Sequence, residues 1–161
     1  MARDPHNPND PNQRRGPALP ITLLIVDDNQ ELGAALGRWF MLSEDFRWAG
    51  WLPGPDGIDA AILRASPRLV LIDWELPGVD TQALLSRLAE AHPRVTFAVL
   101  SGHIEADAIR AVLKAGASGY LSKESSPAEL PAEARLLAEG KIILSPDAQQ
   151  AIQVEEANQQ R

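Results

Sequence analysis

The chain has 161 residues, 45% hydrophobic and 23% charged, enough for one ordinary domain with a real core and some tail. Twenty-two acidic residues against fifteen basic ones give a formal charge of −7, which argues against nucleic acid or an anionic membrane as a direct partner. The absence of cysteine excludes disulfides, thiolate catalysis and zinc–cysteine sites, and is compatible with a reducing cytoplasm.

Residues 1–20 carry Pro5, Pro8, Pro11 and Arg14-Arg15 and almost no large apolar side chains. They cannot bury enough surface to offset their ordering entropy and read as a disordered, Pro-rich tail, without the apolar centre of a signal peptide. Arg14-Arg15 reads as solvated linker. Order is expected from Ile21 to Val26, a β-branched run that stops at Asp27-Asp28-Asn29 and lacks alternation, as a strand covered on both faces does. From Gln30 the period changes: Leu32, Ala35, Leu36, Trp39 and Phe40 mark a helix with one buried stripe. Phe46 to Leu52 is a weaker strand candidate, followed by a Pro/Gly turn and a short helix from Ile58 to Leu63 that ends before Pro67.

Leu69 to Ile72 is the next buried strand and stops at Asp73. Leu84, Leu85 and Leu88 mark a helix closed by Pro93. Val95 to Leu100 is a strand that stops at Ser101-Gly102-His103, and Ala106 to Ala115 is a helix that ends at Gly116. A last strand, Gly119 to Leu121, stops at Ser122-Lys123, and Ser126-Pro127 starts a helix through Leu137 with Gly140 as its stop. Strand and helix alternate five times. The expected fold is therefore α/β, a doubly wound five-stranded parallel sheet with helices on both faces. The domain is expected over residues 21–144, with 145–161 a polar, Gln-rich end in which Pro146 to Glu156 is a helix candidate. No apolar run approaches the roughly 20 residues that a membrane helix needs, and a cytosolic location is expected.

Polar groups stand at the carboxyl ends of these strands: Asp27 and Asp28 after the first, Asp73 after the third, Ser101 after the fourth and Lys123 after the fifth. In an open parallel sheet such ends converge on one crevice, where ligands bind. Three carboxylates brought close repel by about 4 kcal/mol per pair at an effective dielectric near 20, so the cluster calls for a cation. Hard oxygen ligands suit Mg2+, which readily shares a phosphate oxygen; Ser101 offers a hydroxyl and Lys123 a compact positive charge. Taken singly, each has a plainer reading. Asp27-Asp28 can cap the following helix, Asp73 and Ser101 can serve turns, and Lys123 can be a solvated charge. The joint arrangement favours a site.

These residues resemble the receiver domain of bacterial response regulators. Leu23 to Asn29 is similar to its first strand with the acidic pair, and Val70 to Gly78 to its phosphoacceptor strand and Pro-Gly loop. Leu100-Ser101-Gly102 fits its hydroxyl position, and Ala115 to Lys123 its lysine segment in the style of NarL/FixJ-type regulators. The resemblance covers roughly Ile21 to Leu144. It implies Asp73 as the nucleophile that takes a phosphoryl group from a histidine kinase or histidine phosphotransfer protein. It further implies Mg2+ held by Asp28 directly, by Asp27 largely through water, by Asp73 and by the backbone carbonyl of Glu75. Ser101 and Lys123 are implied to bind the phosphoryl oxygens, with Tyr120 as an aromatic switch that turns inward as Ser101 moves; half-buried packing is the plainer account of Tyr120. Three positions depart from the family pattern: Trp74 where a smaller aliphatic is usual, Thr81 where the loop often has Gly, and Pro131. A proline there kinks the last helix or delays its start, which bears on the surface many receivers use to form homodimers.

NarL/FixJ-type regulators continue into a helix-turn-helix domain after a segment like Leu144-Ser145-Pro146, whereas this sequence ends at Arg161. The expectation is a single-domain regulator that signals to a downstream protein target, no enzyme beyond its own phosphorylation and dephosphorylation. The alternatives are a receiver fragment of a DNA-binding transcription factor and a phosphotransfer enzyme with an aspartyl-phosphate intermediate, for which Glu75 stands two residues after the nucleophile.

Overall fold

In the computed structural model, which describes residues 19–126 and 128–161, the alternation is realised element by element. The order is β1 (Ile21–Val26), α1 (Gln30–Met41), β2 (Phe46–Leu52), α2 (Ile58–Ala65), β3 (Leu69–Asp73), α3 (Thr81–Ala91), β4 (Thr96–Ser101), α4 (Ala106–Lys114), β5 (Gly119–Ser122), α5 (Glu129–Ala138), β6 (Ile143–Leu144) and α6 (Pro146–Gln159). The expected disorder of the Pro-rich tail falls on residues outside the described ones, apart from Leu19 and Pro20, and so does Pro127. No helix among the described residues is long and apolar enough to cross a membrane.

The sheet is parallel with strand order β2-β1-β3-β4-β5-β6. It has six strands where five were expected. Ile143–Leu144 runs beside β5, Ile143 N donating to Ser118 O at 2.9 Å and Ser145 N to Tyr120 O at 3.0 Å. Two residues carry no periodicity, so only the open edge of β5 makes them a strand.

The buried strands feed two cores. Leu24, Val26, Val70, Ile72, Phe97, Val99 and Tyr120 face α2, α3 and α4, while Leu23, Ile25, Leu69, Leu71, Ala98, Leu100 and Leu121 face α1 and α5. The missing alternation in the sequence is thus the mark of double coverage.

The buried stripe of α1 is Gly33, Leu36, Gly37 and Phe40; Leu36 and Phe40 were expected in it, while the expected Leu32, Ala35 and Trp39 are only half-buried and two glycines take the centre. The cause lies in β2. Its pairing with β1 shifts between Leu23 and Leu24, which face Trp48 and Gly50, so Ala49 is an extra residue. Gly50 carries the bulge at φ 123°, a conformation that side chains rarely adopt. The shift puts both Trp48 and Trp51 on the α1 face, whereas three residues along a regular strand would separate them. The glycines of α1 make room: a Cβ on Gly33 would meet Trp51 Cδ1 at 2.4 Å, and one on Gly37 would meet Trp48 at 3.0 Å.

Helix α5 starts at Glu129, three residues after the expected Ser126. Ser126 and Glu129 form a reciprocal cap, Ser126 N donating to Glu129 Oε2 at 3.0 Å and Glu129 N to Ser126 Oγ at 3.2 Å. Pro131 is the third residue of this helix, which runs on past it to Ala138. Helix α6 lies against α4, β5 and β6, with Ala148 fully buried and Ala151 and Ile152 half-buried beside the first core.

Candidate functional site

Asp27, Asp28 and Asp73 come together at the carboxyl ends of β1 and β3, offering carboxylate oxygens that all lie within 4.8 Å of one another. The strand order puts β1 between β2 and β3, so the chain leaves β1 and β3 for helices on opposite faces and a crevice opens between them. Asp27 is fully buried, Asp73 is 2% exposed and Asp28 is exposed.

The two buried carboxylates are each held by their own loop. Asp27 Oδ1 accepts from Asn29 N at 2.8 Å, and Asn29 in turn caps α1 through Leu32 N at 3.1 Å. Asp73 Oδ1 accepts from Glu75 N at 3.0 Å. Lys123 Nζ lies 2.7 Å from Asp27 Oδ2 and 3.1 Å from Asp73 Oδ2. Asp27 Oδ2 is buried and meets the lysine off the hydrogen-bonding direction, with no other partner. Burial raises the Asp73 carboxyl above its ordinary pKa and the Asp27 charge adds to this, while the Glu75 N–H and Lys123 oppose it. Burial acts to lower Lys123, but the two carboxylates outweigh it and hold the ammonium above its usual range.

Three carboxylates against one ammonium leave two negative charges in a largely buried pocket. A hard divalent cation fits that donor set: oxygen ligands only, one of them exposed and one buried with an oxygen that Lys123 pairs by charge without a hydrogen bond. Glu75 sits on the rim with its side chain exposed, 3.4 Å from His103 Nε2.

Ser101 is fully buried at the end of β4, beside Ser122 in the sheet, but its hydroxyl serves its own loop. Ser101 Oγ donates to His103 O at 2.8 Å and accepts from His103 N at 3.0 Å. Tyr120 is already inward and fully buried, and its hydroxyl donates to the same His103 carbonyl at 2.6 Å. Burial raises its phenol pKa, with the charges of Glu75, Glu105 and Asp147 acting the same way.

Sequence reasoning did not find three contacts at this site. The Thr81 hydroxyl, where a glycine was the family norm, donates to Trp74 O at 2.9 Å and ties the loop after Asp73 to α3. Trp74 itself is half-buried and lines a cavity of about 290 Å³ with Glu75, His103, Glu105, Ala108 and Tyr120. Trp51 Nε1 donates to the backbone carbonyl of Asp27 at 2.7 Å. The His103 carbonyl links Ser101 to Tyr120. All three acceptors are backbone oxygens, which no residue pattern marks.

A doubly wound parallel sheet that gathers an acid cluster and a lysine at its strand ends has the architecture of a receiver domain. The response regulator receiver domain family matches residues 23–135, and the chain belongs to that family. It is the receiver domain of a two-component response regulator. The chain is 30% identical over 128 residues to the transcriptional regulatory protein DegU of Brevibacillus brevis, covering 78% of this chain and 53% of that one. It is 32% identical over 129 residues to the nitrate/nitrite response regulator protein NarL of Escherichia coli K12, covering 78% and 58%. The chain therefore spans a little over half the length of these relatives. Among solved structures, it superposes with TM-score 0.74 and 17% identity on the isolated REC domain of RcsB from Salmonella enterica serovar Typhimurium with phosphomimetic BeF3−, covering 83% and 99%. The signal receiver domain of the putative response regulator NarL from Mycobacterium tuberculosis gives TM-score 0.68 at 22% identity, covering 76% and 98%. These two likenesses show the fold.

Proposed function

We propose that this receiver takes a phosphoryl group onto Asp73 from the phosphohistidine of a histidine kinase or histidine phosphotransfer protein, and signals by phosphorylation-dependent protein binding. The observation that carries the reading is Lys123 bridging Asp27 and Asp73 in a pocket that keeps two negative charges in excess. A structural ion pair needs one acid; a second buried carboxylate beside it and a third, exposed one at the rim serve no packing purpose.

Asp28, Asp27, Asp73 and the Glu75 carbonyl are the residues proposed to hold Mg2+. When bound, Mg2+ supplies neutralisation of the charge on the transferring phosphoryl oxygens. The Asp73 carboxylate forms the new O–P bond as the donor's N–P bond breaks; the imidazole nitrogen keeps the electron pair and takes a proton. Glu75 N–H holds one Asp73 oxygen, so the carboxylate cannot swing away. Lys123 then pairs with a phosphoryl oxygen in place of Asp73. Ser101 Oγ turns from His103 to the phosphoryl group, and Tyr120 alone satisfies the His103 carbonyl it leaves. The proposed partners are the phosphohistidine donor, a downstream protein and a second copy of the chain, met in the cytoplasm, with no direct nucleic acid or membrane contact.

Incubation with acetyl phosphate or phosphoramidate and Mg2+, followed by intact-mass spectrometry, tests this. One phosphate adduct is expected that requires Mg2+ and disappears in Asp73→Asn. An adduct that survives Asp73→Asn or forms equally in chelator would overturn the assignment. A second reading, the receiver part of a DNA-binding regulator, is favoured by the transcriptional role named for DegU and by the greater length of both relatives. Duplex-DNA binding by a longer product of the same gene, with none by this chain alone, would support it.

A further inference from the structure

We propose that Trp51 is a positioning residue for the acid pair, its indole N–H fixing the backbone at Asp27 and thereby the aim of the Asp27 carboxylate into the cation pocket. The inference rests on the metal-binding reading above and extends it to a residue outside the acidic loop.

The backbone at Asp27 is only half served by the sheet. Asp27 N donates to Leu52 O at 3.0 Å, but β2 ends at Leu52 and, among the described residues, no backbone N–H beyond it returns to the Asp27 carbonyl. The Asp27 carbonyl instead accepts from Trp51 Nε1 at 2.7 Å. On the other side of the residue, Asn29 N holds Asp27 Oδ1 at 2.8 Å. One bond holds the main chain at Asp27 and the other its carboxylate. The remaining oxygen, Oδ2, is left buried, beside Lys123 and facing the cluster.

Three local sacrifices place that single N–H. The bulge at Ala49 brings Trp51 to the α1 face, Gly50 supports the bulge at φ 123°, and Gly33 vacates the space the ring fills. Glycine inside a helix costs about 1 kcal/mol relative to alanine, so a ring that merely filled space would be an expensive choice. An aliphatic side chain opposite an alanine would fill the same gap. What it could not supply is a donor aimed at the Asp27 carbonyl. Partners one step removed from a metal orient the ligands themselves, and their loss typically weakens binding.

Trp51→Phe keeps the ring and removes the donor. Trp48→Phe is the matched control, because Trp48 packs against Gly37 one turn further along the same helix. Mg2+ affinity is read by isothermal titration calorimetry, and the Asn29 amide by hydrogen exchange in NMR. For Trp51→Phe, Mg2+ affinity is expected to fall about 10-fold, the low end for such partners. The Asn29 amide is expected to exchange faster, and the acetyl-phosphate reaction to regain its wild-type rate at saturating Mg2+. Trp48→Phe is expected to change none of these. Wild-type affinity with intact Asn29 protection in Trp51→Phe overturns the proposal, as does an equal loss in Trp48→Phe, which would mark the effect as packing. If the wild-type protein itself shows no Mg2+ binding, the metal reading fails; the Asn29 amide then decides alone, faster exchange in Trp51→Phe supporting the positioning role and unchanged exchange overturning it.

Discussion

Glu133→Gln should make the protein more stable at alkaline pH and remove part of its pH dependence. Glu133 lies in α5 with Oε2 buried and without a hydrogen-bond partner. Burial, and then the charges of Glu129 and Asp147, push its carboxyl from 4.5 to about 7. An acid whose pKa is raised by folding keeps its proton in the folded state after the unfolded chain has released it. Stability therefore falls as pH rises from 4.5 to about 7 and levels off above that. At roughly 1.36 kcal/mol per pH unit the full effect would be about 3.4 kcal/mol. The carboxyl is only half-buried, and solvent screening reduces this to about 1–2 kcal/mol. Glutamine has nearly the same shape and no charge to expose. Urea denaturation at about pH 4 and about pH 8 should show nearly equal stabilities at the lower pH and an advantage of about 1–2 kcal/mol for Glu133→Gln at the higher. Parallel curves for the two proteins across that range would refute the reasoning. Because Asp147 sits in the first turn of α6, the same repulsion bears on how that helix docks.

Lys123→Ala removes the cation between two buried carboxylates; in chelator it should cost about 2–4 kcal/mol by urea denaturation, with Mg2+ recovering part of the loss by binding the freed acids. Equal stability of variant and wild type in chelator would mean that the ion pairs at Asp27 and Asp73 are incidental. Ser101→Ala and Tyr120→Phe each remove one donor to the His103 carbonyl, so the double variant should cost at least about 0.5 kcal/mol more than the two single losses combined, because only it leaves that oxygen without either donor. Strict additivity in that cycle would show that the two hydroxyls are not linked through the loop.

Much of this protein was legible along the chain because the signals are local. Double-sided burial erases alternation, so Ile21 to Val26 and Leu69 to Ile72 read as central strands before any partner is known. Asp27, Asp28, Asp73 and Lys123 stand out because they interrupt apolar runs at strand ends, and a parallel sheet brings such ends to one crevice. What tertiary structure alone decided depends on neighbours far away in sequence. Ile143–Leu144 is a strand only because β5 has a free edge beside it. Leu36 and Phe40 of the α1 stripe were legible by their spacing, but Gly33 and Gly37 could not be placed in it without knowing that a bulge in β2 would deliver two indoles against them. Trp51, Thr81 and Tyr120 act on carbonyl oxygens, which every residue has and no side-chain pattern distinguishes. The charge state of Glu133 is likewise invisible in sequence, because desolvation is set by what packs over a carboxylate rather than by its neighbours in the chain.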